Sequence, residues 1–66
     1  MHIIVNGKNK ELTAADTLAT LITQFCQDAR YVVAELNGQI VKKPDWAKAA
    51  LNDGDQVELV SLVGGG

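Results

Sequence analysis

The sequence predicts an α+β fold, a mixed sheet of four to five strands with one main helix packed on one face. Three observations predict it. Two Asn-Gly pairs, Asn6-Gly7 and Asn37-Gly38, each interrupt a short strand-like run. Between them the spacing turns helical, with Leu18, Leu21, Ile22 and Phe25 at i, i+3, i+4 and i+7. An apolar run, "QVELVSLV", then follows the turn-rich "NDGD".

The elements can be justified in order. "HIIVNGKNKELT" alternates around Asn6-Gly7, and an Asn-Gly pair suits a two-residue hairpin because a type I′ turn needs positive φ at both positions. Ile3 and Val5 are expected to point inward, His2 and Ile4 outward, with Leu12 packing from the return strand. In "ADTLATLITQFCQD" the four apolar positions share one helix face, Asp16 is placed to cap the start through its carboxylate, and the helix should fade near Asp28 to Arg30. "YVVAELNGQIV" predicts a strand from Val32 to Leu36, a tight turn, and a short extended Gln39 to Val41. Pro44 suits a first helical turn, so Pro44 to Ala49 reads as a short helical crossover with Trp46 as a partly buried anchor. Gly54 centres the next turn, and Val57 and Leu59 face inward on the last strand. The long helix crosses from the second strand to the third, and the last strand can lie parallel to the first. This is a β-grasp layout, with residues 1–60 as the domain and 61–66 as a flexible tail.

Composition narrows the function. Ordering 66 residues costs roughly 100 kcal/mol of conformational entropy, which so small a core offsets only narrowly. A domain of this size can rarely also enclose a cofactor pocket, so an unaided enzyme is not expected. The formal charge of −2 and pI of about 5.0, with Lys8, Lys10, Lys42, Lys43 and Lys48 spread among acids, disfavour nucleic-acid binding. Met1 begins directly on a strand-like run and no apolar run is long, so neither a secretion signal nor a membrane span is expected. Cys26 is the single cysteine, which excludes an internal disulfide and fits a reducing, cytoplasmic setting. Beside the helix's apolar face it reads as a buried thiol rather than as half of a pair with His2, the single histidine. No phosphate-cradling glycine motif is present. Asp53 and Asp55 around Gly54 read as solvated turn residues rather than calcium ligands.

The chain finishes "SLVGGG". Glycines at an end are compatible with simple fraying or with an artificial extension. They also suit a working tail: without Cβ atoms they thread a narrow channel, and Ser61 to Gly66 can reach roughly 20 Å when extended. The end group is then an unhindered carboxylate, a poor electrophile that becomes an acyl donor once adenylated. The machinery for that step would belong to a partner. Val60 and Leu62 on the outer side of the last strand, with Ile4 on the same face beside Glu35, form a candidate docking patch for that partner.

These residues carry a resemblance. "IIVNGK", "VAELNGQIVKKPDWA", "LNDGDQVELV" and the terminal "VGGG" make the whole chain similar to the bacterial thiamine-biosynthesis sulfur carrier proteins of the ubiquitin-like β-grasp superfamily. The resemblance implies that an E1-like adenylyltransferase uses ATP to adenylate the carboxylate of Gly66. Sulfur relayed from a cysteine desulfurase then replaces the AMP, and the resulting thiocarboxylate donates sulfur to thiazole synthase. Gly64 and Gly65 would lie in the partners' channels, with Gly64 extending the family's usual pair to three. The chain itself would hold no cofactor or metal, have no catalytic residue, and be a monomer when free. The alternatives are a small subunit of molybdopterin synthase, a ubiquitin-like modifier whose glycine ends in an amide to lysine, and a β-grasp interaction module with an inert tail.

Overall fold

The computed structural model describes residues 1–12, 16–25 and 29–62. It contains β1 (His2–Val5), β2 (Lys8–Glu11), α1 (Leu18–Phe25), a 3-10 turn at Ala29–Tyr31, β3 (Val32–Leu36), β4 (Gln39–Val41), a longer 3-10 segment at Lys43–Lys48 and β5 (Gln56–Ser61). The five strands form one mixed sheet in the order β2-β1-β5-β3-β4. β5 is the centre: it runs parallel to β1 and antiparallel to β3, while β1 and β3 each pair antiparallel with their hairpin partners.

Both hairpins turn on the expected residues. Asn6 and Gly7 have φ of 51° and 80°, and Asn37 and Gly38 have φ of 51° and 84°, the conformation for which Asn-Gly is selected. Asparagine does more here than tolerate that φ. β1 stops at Val5, but the Asn6 amide continues its ladder: Nδ2 donates to the Leu59 carbonyl at 3.1 Å, and the Leu59 N–H donates to Oδ1 at 2.7 Å. Asn37 makes the matching clamp on the other side, with the Gln56 N–H donating to its Oδ1 at 2.9 Å. Each turn thus holds the central strand by a side chain as well as by its backbone. Asn6→Gly keeps the permitted φ and removes both side-chain bonds, so it should cost about 2 kcal/mol. Chemical denaturation checks this, and a midpoint equal to the wild type's would refute the clamp.

The core lies between α1 and one face of the sheet. Ile3, Leu18, Ile22 and Val57 are its most completely buried large side chains, with Ala34 and Leu59 beside them. The helix is positioned by period and by its entry. Leu18, Leu21 and Ile22 are buried, as their spacing predicts, but Phe25 is 44% exposed and lines an open groove with Val5 and Lys10 of the first hairpin. The start is capped by Thr17, whose Oγ1 accepts from the Thr20 N–H at 3.4 Å. Asp16 instead contributes its backbone carbonyl, which accepts from Leu51 at 2.8 Å, and Leu18 donates to Ala49 at 2.9 Å. These bonds tie the helix entry to the crossover. Asp28, where the helix is expected to fade, lies outside the described residues, as does Cys26.

The crossover is a 3-10 segment with Pro44 in its first turn, and Trp46 is buried rather than partly buried. The indole N–H donates to the Val41 carbonyl at 2.8 Å, so the ring can be buried without stranding its polar end. At the opposite end of the sheet, Asp53 and Asp55 are structural. Asp53 Oδ1 accepts from the His2 N–H at 2.7 Å, and Asp55 accepts from the Asn52 N–H at 2.7 Å and from the Asn37 amide at 3.0 Å. These acids close the turn before β5 and fasten it to β1.

Candidate functional site

β5 leads the chain toward its glycines, so its two faces and its exit define the site. Alternation puts Val57 and Leu59 into the core and leaves Glu58 and Val60 on the outer side. Ser61, the first residue assigned to the tail, pairs with Val32 as the last residue of β5. Leu62 donates to the Tyr31 carbonyl at 2.8 Å, holding the strand's exit against the start of β3. Gly64, Gly65 and Gly66 lie outside the described residues.

The outer face carries an apolar group at this exit. Val60 is 52% exposed and Leu62 62% exposed, and Val33 lies directly opposite Val60 across the β3–β5 ladder. Ile40 on β4, 66% exposed, adds to it. Sequence reasoning named Val60 and Leu62 but not Val33 or Ile40. The alternation of "VVAEL" and "QIV" could have placed both outward, but only the strand order and register set Val33 beside β5 and Ile40 one strand further out, opposite Glu35. Ile4 shares the outer face yet is half-buried and stands level with Gln56, four residues back along β5 from Val60. At about 3.3 Å per residue that separates them by about 13 Å along the strand. Nor is Ile4 beside Glu35, because β5 runs between their strands.

The described residues contain no catalytic constellation. No group of three potential metal-ligating side chains occurs among them. His2 places Nε2 2.9 Å from Glu11 Oε1, and the other Glu11 oxygen accepts from the Met1 ammonium at 2.9 Å. That hydrogen bond, more than the nearby His2, holds the Glu11 carboxyl below its ordinary range. A shallow groove of about 270 Å³ opens beside the helix between Val5, Lys10, Leu21, Gln24 and Phe25, away from the strand exit. No helix among the described residues is long and apolar enough to cross a membrane.

What the described residues offer is a central strand paired on both sides, with an exposed apolar surface at its exit. Comparison with known proteins decides which family uses it. The model of the ThiS family matches residues 3–66. The chain belongs to the ThiS family. Over their whole lengths, this ThiS-family chain and the sulfur carrier protein ThiS of Escherichia coli are 32% identical. It is also 38% identical to a thiazole synthase of Paramagnetospirillum magneticum, where all of this chain matches but spans only 20% of that protein's length. The crystal structure of the thiamine biosynthesis protein ThiS from Geobacter metallireducens superposes with a TM-score of 0.84 at 30% identity, covering 100% of both chains. The five-stranded sheet with one main helix is therefore the β-grasp of ThiS proteins. The Escherichia coli relative of matching length is named a sulfur carrier protein, a small carrier rather than an enzyme.

Proposed function

We propose that this ThiS-family chain carries sulfur for thiamine biosynthesis on the carboxylate of Gly66. The observation that carries this reading is the end-to-end match to a named sulfur carrier protein, which includes the terminal glycines. The chemistry proceeds in two exchanges. An E1-like adenylyltransferase directs the Gly66 carboxylate oxygen onto the α-phosphate of ATP and releases pyrophosphate. A hydrosulfide equivalent, released when a thiol reductant cleaves the persulfide of a cysteine desulfurase relay and is itself oxidised to the disulfide, then attacks the acyl-adenylate carbonyl. The C–S bond forms, the C–O bond to AMP breaks, and a thiocarboxylate remains.

Thiazole synthase is the acceptor in this reading, supported by the relative of that name whose sequence includes a stretch resembling the whole of this chain. ATP is bound by the activating partner, and this chain supplies the acyl group alone. Gly64 and Gly65 pass through the partners' channels, where a Cβ would collide with the walls. Val60 and Leu62 are gripped by the partner while the tail enters its active site, and Ile4 sits at the margin of that contact.

Pyrophosphate release, measured with the host's E1-like enzyme and ATP, tests the first step: it should depend on this protein. Val60→Asp should weaken that reaction several-fold while changing stability by no more than about 1 kcal/mol, because the site is half exposed. Unfolding of that variant would instead show Val60 to be part of the core.

A further inference from the structure

The two sides of the sheet carry opposite charge. By register, Lys8 stands opposite Val5 and Lys10 opposite buried Ile3, on the side of the helix. Glu11 stands opposite His2, and Glu35 opposite Glu58, on the outer side. These are all the glutamates of the chain, and no strand residue on that outer side is lysine or arginine. Glu35 and Glu58 are direct cross-strand neighbours, an arrangement in which like charges repel. Among the described residues no cation is paired with either. Ile40 flanks Glu35 from β4, and the Val33–Val60 pair occupies the next outward position along the ladder. The free chain gains nothing from two adjacent carboxylates set among exposed apolar side chains.

We propose that this face docks a basic partner surface, with an arginine or lysine of the activating enzyme seated between Glu35 and Glu58 and apolar side chains around it covering Val60, Val33 and Ile40. This rests on the carrier reading. Three physical arguments select the occupant. A second copy of the chain is disfavoured, because a two-fold contact through this face would stack the acidic pair on its own image. Polyanions and anionic lipid surfaces are repelled for the same reason. An enzyme that brings ATP to the chain's terminal carboxylate must itself be cationic around its active site to hold a triphosphate, so its rim complements an acidic face. A guanidinium seated between two carboxylates would also relieve the repulsion that the free protein endures.

The signature is a gain in stability with a loss of docking. In the full-length protein, the double substitution Glu35→Gln, Glu58→Gln should raise the Tm by roughly 2–4 °C, since the repulsion is removed. The same variant should raise the KM of the host's E1-like enzyme for this protein at least roughly fivefold at low salt with kcat unchanged, and flatten the salt dependence of KM seen with the wild type. An unchanged KM, with the wild type still adenylated, would overturn the docking proposal and leave the carrier reading intact. A weakened contact with thiazole synthase alone would overturn the choice of the activating enzyme. Failure of the wild type to be adenylated at all would overturn the carrier reading and the docking that rests on it.

Discussion

Removing Gly66 should abolish sulfur loading and leave the fold unchanged. Among the described residues, pairing in the sheet runs to Ser61 and the core to Leu59, so the described fold stands without Gly66. Its contribution is reach. Deleting it leaves Gly64-Gly65 as a new glycine terminus but draws the carboxylate back by about 3.5 Å. A misplacement of even 1 Å can cost about 10²-fold in rate, because attack on the α-phosphate needs the two reacting atoms held in line. Pyrophosphate release should therefore fall by at least about 10²-fold. Circular dichroism and the thermal midpoint should match the wild type. An inert tail predicts the opposite, full activity in the shortened protein. A ubiquitin-like modifier would also lose activity on deletion, but its wild type would accumulate as adducts with other proteins.

Trp46→Ala should largely unfold the protein. Trp46 is 5% exposed, anchors the 3-10 crossover against α1, and donates its indole N–H to Val41. Truncating a buried tryptophan costs about 3–5 kcal/mol, and it strands the Val41 carbonyl as well. A domain of 66 residues has a total stability of roughly 3–10 kcal/mol. The Tm should fall by roughly 15–30 °C, or no cooperative transition should remain. Trp46→Phe keeps most of the apolar volume and loses the hydrogen bond, so it should cost about 1–2 kcal/mol. Since Trp46 is the single tryptophan, both variants are followed by circular dichroism. A Trp46→Ala protein as stable as the wild type would show that the crossover is not a structural anchor.

Much of the fold was legible because local chemistry dictated it. The two Asn-Gly turns, the strands Val32–Leu36 and Gln39–Val41, and the helix stripe Leu18, Leu21, Ile22 all follow from turn conformation and period alone. What escaped depends on how the elements meet. Phe25 has the right spacing for the core but lines an open groove beside Val5 and Lys10, which leaves it 44% exposed. Asp16 has the right chemistry for a cap, yet Thr17 stands nearer the helix start and the Asp16 carbonyl is taken by Leu51. The clamps of Asn6 and Asn37 on β5 join residues far apart in sequence, and neither propensity nor pattern reports them. The same holds for the candidate surface. Val60 and Leu62 are visible as outward positions on the last strand, but that Val33 lies beside Val60, Glu35 beside Glu58, and Ile40 beyond Glu35 follows only from the register of β3, β4 and β5. The separation of Ile4 from Val60 is likewise a matter of stagger between parallel strands.

The central claim is that the terminal carboxylate becomes a thiocarboxylate. The most direct measurement is the intact mass of the protein purified from its own host, or after incubation with the host's E1-like enzyme, ATP and a sulfur source. The account predicts a species heavier by the exchange of one oxygen for one sulfur, absent from the protein lacking Gly66. Growth without added thiamine then separates a thiazole pathway from a molybdopterin one. Recovery of the free carboxylate alone, with the activating system complete, would contradict the account.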